Sequence, residues 1–258
     1  MKKMITLVAA LVMVIATSCA QDSKTVPTAK LSQSEMEAKL NPFFEKLQAI
    51  PEDGHETEAM NKMAFDFIAE NPNDAGVYVV RALLANTMKT EELIKYVDSN
   101  EYLKNDPTIQ AEKKSWITQL ETGEGKMFRD FEAEYDGKVT KLSDYVGKGK
   151  YVLVDFWASW CGPCKREIPN IKAVYDKYKG DKFEVLGVAT WDEPAATLKS
   201  IEQLGITYPQ MLNAQKAGSD AYGISGIPQI ILFGPDGTIL KRDLRGEEIE
   251  KAVAEVLK

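Results

Sequence analysis

Two cysteines three residues apart stand directly behind an apolar run. The run is Tyr151 to Trp157, the pair is Cys161-Gly162-Pro163-Cys164, and a helical period follows through Ile168, Ile171, Val174 and Tyr178. That order predicts a buried strand, a tight turn and a helix that opens at the first cysteine. The first N–H groups of a helix lack internal partners and carry partial positive charge, so a thiolate at Cys161 is stabilised there. Cysteines in such pairs ionise at about 3.5–7.5. Cys164 falls one turn further on the same face, where the pair closes a disulfide with little backbone movement. Pro163 suits the first turn, where its missing N–H costs little.

A lone Cys-x-x-Cys is also half of a zinc site. Zinc takes four ligands, and only Cys19 and His55 remain, neither at ligand spacing. No metal or other cofactor is therefore expected. A purely structural bridge over so short a loop would stabilise little. The chain has a net charge of −7 and no basic tract, which argues against nucleic-acid binding. Its 258 residues, 44% of them hydrophobic, suffice for one or two packed domains.

The stretch Val154-Asp155-Phe156-Trp157-Ala158-Ser159-Trp160-Cys161-Gly162-Pro163-Cys164-Lys165 resembles the active-site segment of thioredoxin. With Arg166-Glu167-Ile168-Pro169 behind it, the segment is more similar to the membrane-tethered thioredoxin-like reductases of the TlpA and ResA type. The resemblance covers roughly the second half of the chain. It implies a thioredoxin fold, a central mixed sheet flanked by helices, and a thiol-disulfide oxidoreductase acting through a Cys161–Cys164 redox disulfide. Gly162 and Pro163 between the cysteines imply the reducing direction. Trp160 then shields Cys161 and offers substrates a flat contact. Asp155 matches the buried aspartate that relays a proton to the resolving cysteine. It equally fits a structural acid satisfied by hydrogen bonds, since an unpaired carboxylate in a strand is expensive. Pro169 matches the helix-kinking proline of the family. Glu167 also matches the TlpA-like pattern and equally fits a solvated helix carboxylate.

A further match is Gly226-Ile227-Pro228. In the family this proline is cis and faces the dithiol. Independently, a proline cannot donate within a central strand and belongs at its start or in a special turn, and cis bonds occur essentially before proline. Such a bend frees the Ile227 backbone to pair with an extended peptide. Gln229 replaces the threonine common in thioredoxins.

Residues 1–19 look like a bacterial lipoprotein signal: Lys2 and Lys3, an apolar Ile5 to Ala16 too short to span a bilayer, then small residues before Cys19. Cys19 would carry the lipid, and residues 20–30 would be a polar tether. Export implies an envelope location facing the periplasm, anchored to the membrane, or secreted if Cys19 is not acylated. Its substrates would be disulfide-containing envelope proteins. Because that compartment oxidises thiols, a reducing dithiol there needs a membrane thiol-electron carrier as partner.

Residues 31–122 carry helical periods and form a smaller all-α domain of unassigned role. The expected helices are Leu31 to Ile50, Glu56 to Glu70, one through Val77 and Leu84, Glu91 to Val97, and Thr108 to Leu120. Met36, Met60, Met63 and Met88 read as core fillers, and His55 as a solvated loop residue. The polar stretch Glu121 to Lys126 marks the change to a redox domain over 123–258.

In that domain short strands are expected over Phe128–Glu134 and Lys138–Thr140 around an Asp136-Gly137 turn. Next come a buried strand Phe183–Ala189, a helix Pro194–Leu204, a partly extended Ile206–Leu212 and a helix Ala214–Tyr222. A strand after Pro228, a Pro235-Asp236-Gly237 hairpin, a return strand Ile239–Arg242 and a closing helix Glu247–Leu257 complete it. Trp191-Asp192 falls at a strand end and carries no assigned role. Two other functions fit parts of this pattern. A peroxiredoxin-like peroxidase needs threonine three residues before its cysteine, where Ala158 stands. A non-enzymatic envelope scaffold would use the helical half alone.

Overall fold

The computed structural model describes residues 30–258. The signal segment, Cys19 and all but the end of the tether lie outside the described residues. Among the described residues no helix is long and apolar enough to cross a membrane. The chain divides into two compact units between Lys113 and Lys114.

The first unit is helical. Its opening helix, Gln33–Gln48, starts with a capping box in which Ser32 and Glu35 satisfy each other's backbone N–H groups. Helices Glu56–Glu70, Asp74–Val79 and Thr90–Ser99 follow, the second of these running on through a π-helical turn, Val80–Leu84, into Ala85–Thr87. Leu40, Phe44, Met60, Ala64, Ile68, Leu84, Leu93 and Val97 are buried in it. Met60 is a core filler as expected; Met36, Met63 and Met88 are only partly buried. His55 is exposed and precedes the second helix.

The last helix of the helical stretch, α1 (Pro107–Glu121), is divided by the unit boundary. Its final turns belong to the second unit, nine residues before the composition change at 123. Ser115 Oγ and Gln119 Nε2 donate to the Gly223 carbonyl (2.8 and 2.6 Å), and Arg242 Nη1 donates to both oxygens of the buried Thr122 (2.7 Å each). Gly223 has a left-handed φ of +63°, and a Cβ there would lie 2.3 Å from the Ser115 carbonyl oxygen, so only glycine allows this approach.

A hairpin of β1 (Glu132–Tyr135) and β2 (Lys138–Lys141) comes next. The main sheet is built from β3 (Tyr151–Trp157), β4 (Phe183–Thr190), β5 (Gln210–Gln215), β6 (Gln229–Phe233) and β7 (Ile239–Lys241), in the order β5-β4-β3-β6-β7. β3, β4 and β5 are parallel, joined by helices α2 (Gly162–Tyr178) and α3 (Pro194–Leu204); β6 runs antiparallel to both its neighbours, β3 and β7. This is the mixed sheet of the thioredoxin fold. Strand alternation sorts the core. Leu153, Trp157, Ile230 and Leu232 face α2 and the closing helix, while Val154, Phe156, Ile231 and Phe233 face the hairpin and the short helix α4 (Ala217–Tyr222). The closing helix, α5, spans Glu247–Val256.

Two boundaries shift by three or four residues: β1 begins at Glu132 rather than Phe128, and the helix expected from Ala214 begins at Ala217. Ala214 and Gln215 end β5 rather than open a helix, because a register shift lets Gln215 pair with Thr190. Asn213 and Gln215 both have left-handed φ values (58° and 46°), a backbone that a helix does not use.

Candidate active site

The redox pair sits where β3 turns into α2. Cys161 caps the helix in extended conformation, and its Sγ accepts the Cys164 N–H at 3.1 Å. The two sulfurs are joined in a disulfide with Cα atoms 5.3 Å apart. Cys161 retains 3% exposure and Cys164 none, so of the two Cys161 lies nearer the surface. Gly162 and Pro163 are exposed in the first turn, and Pro169 lies inside α2. The Ile227–Pro228 bond is cis, and the Ile227 carbonyl oxygen lies 3.7 Å from Cys161 Sγ. Cys161, Cys164, Ile227 and Pro228 thus meet at one edge.

Trp160 stands beside them, 61% exposed yet fixed. Its indole N–H donates to the Trp191 carbonyl at 2.9 Å. Trp191 itself has a left-handed φ of 55° and anchors its indole on Ser219 Oγ at 3.1 Å. The next residue, Asp192, is buried and collects four donors. They are Ser159 N and Oγ and Thr197 Oγ1, each at 2.7 Å, and Glu193 N at 3.1 Å. The loop after β4 therefore clamps the segment that leads into Cys161. The sequence offers no signal for this beyond an acid at a strand end, because its partner Ser159 is 33 residues away. Ser159, Trp160, Trp191, Ala196 and Lys216 line a depression of about 710 Å³ beside the dithiol.

Asp155 is wholly buried in β3, and neither carboxyl oxygen has a hydrogen-bond partner. Among the described residues no side chain or backbone group supplies the hydrogen bonds that a structural acid would use. Burial pushes its carboxyl up to about 8, against the pull of the Arg245 guanidinium and with a push from Glu167. Glu167 is not a solvated helix carboxylate either: it accepts the Gly246 N–H at 2.9 Å, where α5 begins. Opposite Asp155 on β4 is Gly187, over which Gln210 lies flat and accepts the Trp157 indole N–H at 3.0 Å. Gln229 is buried with its Nε2 unpartnered. Among the described residues no group of three or more His, Cys, Asp or Glu converges as a metal site.

Residues 125–242 match the model of the AhpC/TSA family. The chain is similar to the thiol-disulfide oxidoreductase ResA of Bacillus subtilis, 33% identical over 106 residues, which cover 41% of this chain and 58% of that protein. It is 30% identical over 128 residues to ResA of Halalkalibacterium halodurans, covering 48% of this chain and 71% of the relative. The match thus spans less than two thirds of the Bacillus subtilis protein and more than two thirds of the other. Among solved structures, the thioredoxin domain of a thiol-disulfide oxidoreductase from Bacteroides vulgatus is 31% identical. That match covers 53% of this chain and 99% of that domain, with a TM-score of 0.48.

Proposed function

The chain belongs to the ResA family of thiol-disulfide oxidoreductases, and on that premise we propose that its C-terminal unit reduces protein disulfides through Cys161 and Cys164. One observation carries the reading: the less buried cysteine caps a helix, bonds to a fully buried partner one turn on, and lies 3.7 Å from the Ile227 carbonyl. In the reduced state the Cys161 thiolate attacks one sulfur of a substrate cystine, breaking that bond and releasing the other sulfur as a thiolate that takes a proton. The Cys164 thiol then loses its proton and attacks Cys161 Sγ. The mixed disulfide breaks, the second substrate thiol leaves, and the two electrons gained by the substrate leave the enzyme as the disulfide seen here.

Purified, reduced chain is expected to precipitate insulin by cutting its interchain disulfides. Cys161→Ser is expected to abolish this, and Cys164→Ser to accumulate a mixed disulfide visible on a non-reducing gel. A reduction potential well above the glutathione couple would overturn the reducing direction. The match to the AhpC/TSA model keeps a peroxidase as the second reading. Peroxide consumption without insulin reduction would favour it, although Ala158 offers no hydroxyl before Cys161.

The same reading places the protein in the cell envelope, lipid-anchored through Cys19. Its substrates there are envelope proteins with disulfides, and a membrane thiol carrier re-reduces it. The support is the signal-like start of the sequence. Cys19→Ala is expected to move the protein from the detergent phase to the aqueous phase of cell extracts.

A further inference from the structure

Asp155 lies between Leu153 and Trp157 on β3, and both of these face the apolar layer under α2 and α5. Alternation puts Asp155 on that face too. A carboxyl buried there with both oxygens unpartnered must stay neutral or be offset by a cation. The groups that face it are few. From α2 comes the charge of Glu167, and Cys164 shares the apolar layer of Leu153 and Trp157, the neighbours of Asp155 on that face; from the segment before β5 comes Tyr208, whose buried hydroxyl also lacks a partner. Gly187, directly across on β4, brings no side chain. The turn between β7 and α5 brings Arg245.

That turn is tied down at three points. Leu244 N donates to the Ile230 carbonyl at 3.3 Å, and Ile230 is the β6 residue paired with Asp155. Gly246 N donates to Glu167 of α2. Arg245 itself donates from Nη1 to the Leu244 carbonyl (2.7 Å) and from Nη2 to the Pro228 carbonyl. One guanidinium therefore holds the residue next to Ile227, whose carbonyl lies 3.7 Å from Cys161 Sγ, while its charge bears on the buried acid.

We propose that Arg245 is a positioning residue that fixes the Pro228 carbonyl at the substrate edge and, through its charge, sets the pH at which Asp155 takes the proton of Cys164. The proposal rests on the dithiol-exchange reading. In the resolving step the Cys164 S–H proton passes to the Asp155 carboxylate as Cys164 Sγ attacks Cys161 Sγ. The bond from Cys161 to the substrate sulfur breaks, and the departing thiolate is protonated by solvent. The step runs only where Asp155 is ionised, and Arg245 is what favours ionisation against burial and Glu167.

Ellman's reagent separates the two steps in the full-length protein. Cys161 releases one coloured thiolate on attack, and Cys164 releases the second on resolution. In Arg245→Gln the pH midpoint of the second phase is expected to rise by about one unit, while Glu167→Gln lowers it. Arg245→Lys keeps the charge but loses the fork to Pro228, so it is expected to keep the wild-type midpoint and raise KM for insulin. A titration of 13C-labelled aspartate carboxyls, with Asp155 identified by its loss in Asp155→Asn, should move in step.

A folded Arg245→Gln with an unmoved midpoint overturns the proposal. If that variant does not fold, an Arg245→Lys midpoint displaced upward does the same. If the wild-type chain releases a single thiolate and leaves insulin intact, the exchange reading itself fails; resolution in wild type with no response at Arg245 removes only the role of Arg245.

Discussion

Asp155 makes the stability of the oxidised chain depend on pH. An aspartate in the unfolded chain ionises near ~3.9, whereas burial holds this one protonated up to about 8. Between those values the folded chain keeps a proton that the unfolded chain has released. Its contribution is complete below the unfolded value and is lost as pH rises through the folded one. Asp155→Asn is therefore expected to unfold in urea much like wild type in acid and to be more stable in mild alkali, by on the order of a few kcal/mol. Asp192 matters for a different reason, as an acceptor already in use. Asp192→Ala removes the acceptor of Ser159 N and Oγ and of Thr197 Oγ1, the last keeping only the Glu193 carbonyl at 3.3 Å, at a cost of about 2 kcal/mol in urea unfolding. The placing of Cys161 and Cys164 was legible from local order, strand, turn and helix start; that of Pro228 rested on the resemblance of Gly226-Ile227-Pro228, because its neighbour Ile227 meets Cys161 66 residues away. Asp192 and Arg245 were not, since their importance lies in contacts 33 and 17 residues away, and one sequence carries no trace of such pairs.

At the scale of elements, periodicity served where an element buries one face. Helices Glu56–Glu70 and Pro194–Leu204 and the strand Tyr151–Trp157 all run as their apolar spacing predicts. It failed at Ala214–Gln215, where a small residue beside a polar one looks helical but a bulged pairing with β4 decides. Glycine also acts at this scale. Gly223→Ala forces a Cβ against the Ser115 carbonyl and a left-handed φ on alanine. It is expected to cost about 2 kcal/mol or more, read as a lower urea midpoint for the second unit. Gly187 has the same kind of reason, because any side chain there would displace Gln210 from the Trp157 indole.

For the whole molecule, the division inside α1 changes where the redox unit begins. Composition points to 123, but Ser115, Gln119 and Thr122 are hydrogen-bonded to Gly223 and Arg242 of the second unit. A fragment that starts at 107 is expected to melt well above one that starts at 123, which leaves the Arg242 guanidinium and the Gly223 carbonyl without those partners. Thermal unfolding followed by circular dichroism compares the two directly.

The pinned indole of Trp160 has a practical corollary. A tryptophan held in one orientation next to a disulfide emits weakly, since the sulfur bridge drains its excited state, and brightens when the bridge opens. Emission from Trp160 is therefore expected to rise when the Cys161–Cys164 bridge is reduced, as spectra taken before and after a reductant would read; the backbone carbonyl of residue 191 holds the indole in place for that readout.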